Sequence, residues 1–169
     1  MLKKIILSGV AAVISMAWIV SAEAGGIAYV DVKSSVENAR AYQNGIKHLE
    51  ALKAQKLKEL RALKTKIDQA EKDILGQSMA MSPERLSQKQ SELKELRKSA
   101  ARKQQDAQEE LVAEKNRLDQ KVVGDFYKVV RAYGKKKGYD LILPKSNMIY
   151  ASPALDVTAD ITKILDQKK

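Results

Sequence analysis

Apolar side chains recur through the middle of the chain with a heptad period. Leu60, Leu63, Ile67, Ala70 and Ile74 follow one another at intervals of 3, 4, 3 and 4. That is the seam of a helix burying one stripe against a neighbour. Toward the N-terminus the same frame meets Lys56 and Lys53 before Leu49 and Ile46, with Leu52 and Leu57 beside it. On the next segment Leu86, Leu93, Ala100 and Ala107 repeat every seven residues, and Leu111, Leu118, Val122, Phe126, Val129 and Tyr133 continue the stripe. Gly76 suits the residue just past the end of the first helix. Ser82-Pro83-Glu84 reads as N-cap, first-turn proline and first-turn acid of the second. The pattern predicts helices over about 43–76 and 83–137, roughly 50 Å and 80 Å long. The short link between them makes the two antiparallel neighbours.

The flanks change period. Ile27-Ala28-Tyr29-Val30-Asp31 reads as a short strand, and a short helix is expected near Ser34–Arg40. Tyr139–Leu143 stops at Pro144, and Asn147–Ala151 follows a Lys145-Ser146 turn, which predicts an antiparallel β-hairpin. A last helix over about 157–166, capped by Asp156 or Thr158, presents Ile161, Ile164 and Leu165 on one face. Three short strands leave open apolar edges. Ile27, Tyr29, Leu141, Leu143, Ile149 and Tyr150 are therefore expected to be oligomerisation positions, with strands of other subunits completing the core.

Composition sharpens this division. No aromatic residue occurs among the 83 residues from Gln43 to Asp125, whereas Tyr29, Tyr42, Phe126, Tyr127, Tyr133, Tyr139 and Tyr150 lie on either side. Aromatic side chains dominate compact cores, so a core is expected where the two chain ends meet. The fold class is mainly α with a small β body. Its domains are a signal peptide (1–24), a body (25–42 with 126–169) and a helical-hairpin arm (43–125). The signal peptide is read from Lys3 and Lys4, the apolar run Ile5–Val20 and Ala22-Glu23-Ala24, a small-x-small pattern cleaved after Ala24. The run is shorter than the ~20 residues a spanning helix needs. Export to the periplasm is expected, and the absence of cysteine excludes disulfides there.

Charge and chemistry narrow the function classes. The net charge is +10, and loss of Lys3, Lys4 and Glu23 lowers it to +9. Six Lys or Arg and two Asp lie between Asp119 and Gly138, and Lys128, Arg131, Lys135, Lys136 and Lys137 make a candidate basic surface. It compensates a helix dipole or attracts acidic clients, anionic lipid or lipopolysaccharide. Nucleic acid is excluded as a partner, because base-stacking aromatics are missing from the hairpin and export removes the chain from it. With one histidine, His48, and no cysteine, no His- or Cys-based metal site or two-histidine catalytic set can form. His48 reads as a solvated surface residue. The glycines are isolated and build no phosphate loop. No enzyme activity, cofactor or metal is expected. Leu75, Met79, Met81 and Leu86 cluster at the hairpin turn, either as an adaptable client-binding tip or as a local plug.

These features together resemble the Skp/OmpH family of periplasmic chaperones. Ile27-Ala28-Tyr29-Val30-Asp31 looks like the family's first strand. Tyr139–Leu143, Ile149-Tyr150-Ala151 and Asp156–Ile161 are similar to its closing strand–strand–helix. Between them the hairpin matches by pattern rather than by motif. The resemblance implies a homotrimer in which strands of three subunits form a central barrel and three helical arms enclose a cavity. Unfolded outer-membrane proteins would be held there without ATP. A lipopolysaccharide site known for some members has no residue-by-residue match here. The expected function is an ATP-independent holdase that binds outer-membrane proteins after export and prevents their aggregation. The alternative is an envelope coiled-coil adaptor that binds a partner or anionic lipid.

Overall fold

The computed structural model describes residues 26–167. The expected signal peptide lies outside them. β1 (Gly26–Val30) leads into α1 (Val32–Asn38), then α2 (Arg40–Gln77), a 3₁₀ turn (Ser78–Ala80) and α3 (Pro83–Lys137). β2 (Tyr139–Pro144), two further 3₁₀ turns (Lys145–Asn147 and Pro153–Leu155) and α4 (Thr158–Gln167) complete the chain. α2 has 38 residues and α3 has 55, about 57 Å and 82 Å of helix. α3 therefore outlasts its partner by some 25 Å, and this overhang enters the body.

The heptad reading describes the arm. Leu60, Leu63, Ile67, Ala70 and Ile74 are all half-buried, as are Leu86, Leu93, Leu96, Ala100 and Leu111 on the return, and Ala107 is buried. Lys56, which interrupts the frame, is accommodated by an ion pair to Glu110 across the hairpin at 2.6 Å. The hydrogen bond to Glu110 raises the Lys56 pKa above its ordinary value. Arg97 and Glu71 make a second rung at 2.8 Å. Near the root, a Cβ on Gly45 would collide with the Leu118 side chain. The missing side chain is what lets Leu118 press against α2.

Two expectations are corrected. α2 does not stop at Gly76. It runs on to Gln77 and ends through the 3₁₀ turn, and Gly76 has no positive φ. The 3₁₀ turn tightens the helix end without a left-handed residue. The start of α3 follows expectation: Ser82 Oγ accepts from the Arg85 N–H at 3.3 Å, with Pro83 and Glu84 in the first turn. The second correction concerns the β-hairpin. β2 pairs with β1, in parallel, in the register Ile27↔Leu141, Ala28↔Ile142, Tyr29↔Leu143 and Val30↔Pro144. No strand forms over 147–151. Met148 has extended backbone, but Ile149 and Tyr150 join no ladder and are 109% and 85% exposed. An extended segment becomes a strand only beside a partner with free backbone groups, and among the described residues none pairs with it.

The parallel pairing depends on Gly138. It closes α3 at φ 74, where its N–H reaches the Gly134 carbonyl. That left-handed conformation suits glycine and turns the chain back so that β2 can reach β1. The core then assembles from distant pieces: Ala28 and Val30, Val36 and Ala39, Val122, Phe126, Val129 and Tyr133 of α3, and Val157, Ile161 and Leu165. Phe126 and Ile161 are 1% and 0% exposed, and burying each contributes roughly 1.5–3 kcal/mol.

Candidate functional site

Three surfaces qualify: the tip, the open β face and the basic end of α3. At the tip the four apolar residues divide. Met81 and Leu86 are half-buried and close the turn. Leu75 and Met79, at 80% and 103% exposure, project into solvent. The plug and the exposed binding group are thus different residues of one cluster.

On the β face, Ile27 and Leu141 are register partners and both open, at 52% and 45% exposure. Next along, Tyr29 is buried and Leu143 half-buried. Tyr29 owes its cover to the segment before α4, where its carbonyl accepts from the Val157 N–H at 3.0 Å. Burial and the neighbouring Asp156 carboxylate raise the Tyr29 pKa. For Asp156, burial alone would raise the pKa, but hydrogen bonds from the Thr158 hydroxyl and N–H and from Tyr29 outweigh it and hold the carboxyl below its ordinary value. Ile27 and Leu141 are thus left open by the described residues on a two-stranded sheet, which is marginal alone, and Ile149 and Tyr150 are exposed on the segment that follows β2.

Lys128, Arg131 and Lys135 share the face of α3 turned from the core, and Lys136 and Lys137 wrap its exposed last turn. Lys128, Arg131, Lys135, Lys136 and Lys137 are all exposed, while Phe126, Val129 and Tyr133 point into the core. Lys128 stands 3.5 Å from Asp125. The three lysines occupy the last turn, where cations complement the helix dipole. His48 is exposed. Among the described residues no group of three or more His, Cys, Asp or Glu side chains converges as on a metal.

The root of the arm holds groups that sequence reasoning missed. Chain direction breaks at Ala39, which has extended backbone between α1 and α2, and no local side chain caps α2. The cap comes from α4: Asp166 Oδ1 accepts from the Arg40 N–H at 2.7 Å, with Arg40 Nε 3.6 Å from Oδ2. Lys115 bonds Asp119 at 2.5 Å and lies 5.5 Å over the Tyr42 ring. The Tyr133 hydroxyl donates to Asp160 at 2.6 Å. Burial first, then that hydrogen bond, raises the Tyr133 pKa. Separations of 126 and 27 residues in two of these pairs leave no local sequence signal. Only the i, i+4 spacing of Lys115 and Asp119 could have been read in advance.

The described residues thus form a long arm of two antiparallel helices on a body closed by one parallel strand pair. The family model described as outer membrane protein (OmpH-like) matches residues 26–165. The chain belongs to the OmpH-like family. Its fold is also similar to the crystal structure of a candidate outer membrane chaperone (OmpH-like) from Caulobacter crescentus CB15. The TM-score is 0.80 over 86% of each chain, at 19% sequence identity. No curated protein matches the chain. None of the described helices is long and apolar enough to cross a membrane.

Proposed function

We propose that this OmpH-like protein is an ATP-independent periplasmic holdase that assembles as a homotrimer and keeps unfolded outer-membrane proteins from aggregating. The observation that carries the reading is the open β face. Ile27 and Leu141, with Ile149 and Tyr150 on a segment that has no ladder, lack cover among the described residues, and copies of the same strands would supply it. Assembly about those strands brings several arms together around a shared space. The arms suit a loose grip. α2 has no fully buried residue along its length, so each arm can bend and open locally at low cost. Leu75 and Met79 at the tip add exposed, adaptable apolar contacts.

The test is direct. Light scattering after size exclusion is expected to give three chains per particle. The purified particle is expected to hold a urea-unfolded barrel protein soluble on dilution without nucleotide. If the chain is cleaved after Ala24 it loses Trp18, its only tryptophan, so tryptophan fluorescence of the mixture reports the client alone. A stable monomer that leaves aggregation unchanged overturns the reading. The exposed basic residues Lys128, Arg131 and Lys135–Lys137 favour a second one, an envelope adaptor held to anionic lipid or lipopolysaccharide. Binding to anionic vesicles with no protection of unrelated unfolded proteins would favour that outcome.

A further inference from the structure

The shaft of the arm has two lateral faces of different chemistry. On α3, Ala101, Gln105, Gln108, Val112 and Asn116 follow at intervals of 4, 3, 4 and 4 and so share one face. All five are exposed. The other lateral face carries the exposed residues Arg102, Asp106, Arg117 and Lys121. This face holds a shallow groove of about 490 Å³ whose lining, Gln105, Gln108, Val112, Ala113 and Asn116, includes one charged residue, Glu109. Gln105 Nε2 donates to Glu109 Oε1 at 2.8 Å and tethers that carboxylate. The amides of Gln108 and Asn116 have no hydrogen-bond partner among the described residues. Val112 and Leu57, at 54% and 43% exposure, are the two large apolar side chains of the shaft left open. The Lys56–Glu110 pair brings Leu57 to the level of this groove.

Area decides what fits. From Ala101 to Asn116 the face is about 23 Å long. At roughly 10 Å of width it offers on the order of 230 Å², against the ~800 Å² per partner of a stable interface. A folded protein or a second arm seated only here would not stay. An extended chain rises ~3.3 Å per residue, so about seven residues of unfolded polypeptide match the length. Such a segment has unpaired backbone N–H and C=O groups, and a primary amide can accept from one and donate to the other. Val112 and Leu57 supply apolar contact without a charge to desolvate.

We propose that this face of α3 is where the arm holds its client, gripping an extended, weakly charged segment through Gln108, Asn116 and Val112. The proposal rests on the holdase reading and adds the orientation of the arm: this face inward, the Arg102–Lys121 face outward. Sequence independence follows, because the amides address backbone rather than side chains.

The experiment places p-benzoylphenylalanine at position 112, or at position 117 as control, in the full assembly charged with a urea-unfolded outer-membrane barrel protein. Client adducts at position 112 are expected to exceed those at 117 several-fold. Equal or reversed yields overturn the assignment, and so do adducts at 112 confined to a second copy of this chain. As a second arm, Gln108→Glu with Val112→Glu changes exposed positions only and should leave helix content intact. Client affinity is expected to fall roughly three- to tenfold, whereas Arg117→Glu changes it little. Protection of the client without adducts at 112 sinks this inference alone. No protection at all sinks the holdase reading and this inference with it.

Discussion

Helix α3 is used in two opposite ways along its length. Over the arm it buries one residue fully, Ala107. From Val122 onward it buries Val122, Phe126, Val129, Tyr133 and Gly134. The helical period is continuous through both parts; what changes is the number of neighbours. In the arm α3 packs mainly against α2, so one narrow stripe loses water. In the body it meets α1, α4 and β2 as well, and side chains close over Phe126 from several directions. Hydrophobic stabilisation grows with the apolar area removed from water, so the same helix is firmly held at one end and loosely packed at the other. Under the holdase reading proposed above, that gradient would divide the labour between a stable body and a compliant arm.

The contrast can be broken most sharply by emptying the hub. Phe126→Ala should destabilise the body by about 3–5 kcal/mol, seen as a lower urea midpoint, with protomer concentration held fixed because assembly contributes to apparent stability. Leu63→Ala removes a half-buried seam residue and should cost less, roughly 1–2 kcal/mol. Its effect should be confined to faster amide hydrogen exchange in the arm, leaving the protection of 122–134 unchanged. If Leu63→Ala unfolded the whole chain, arm and body would be one cooperative unit and the comparison would fail.

Smaller effects sharpen the boundary between the two regions. Asp166→Ala strips the side-chain cap from the N-terminus of α2, and loss of a cap costs about 1 kcal/mol. Exchange should quicken first at residues 40–44, and Asp166→Asn should restore most of the protection. Acid should loosen the body through Asp156. Its folded pKa lies below 3.8, so its stabilising contribution is complete above that value and is lost as pH falls through the folded pKa. Asp156→Asn should flatten that part of an unfolding-versus-pH curve. Least of all, Met79→Ser at the exposed tip should change stability by no more than about 0.5 kcal/mol. A measurable loss of client retention in that variant would assign the tip a binding role; unchanged retention would leave it as the end of a helix pair.

Much of this architecture was legible in local pattern. The heptad seam, the Ser82-Pro83-Glu84 start of α3 and the aromatic-free stretch each rest on residues within a few positions of one another. Helix formation is a short-range matter of period, propensity and caps. Gly76 shows the limit even there: a glycine near a helix end does not compel a stop when a 3₁₀ turn two residues later satisfies the same carbonyls. The candidate surfaces were readable as residue types and unreadable as exposure. Nothing local separates Met79 from Met81, yet one projects and the other plugs.

What the sequence determined by itself is the set of helices and the β-prone character of the end segments. Only the tertiary structure decided how those ends combine: β2 parallel to β1, the segment over 147–151 extended without a partner, and α2 capped from α4 across 126 residues. The physical reason is the same in each case. A helix satisfies its backbone hydrogen bonds within itself, so its own residues specify it. A strand, or an uncapped helix end, must find a partner elsewhere, and that choice belongs to the assembled core.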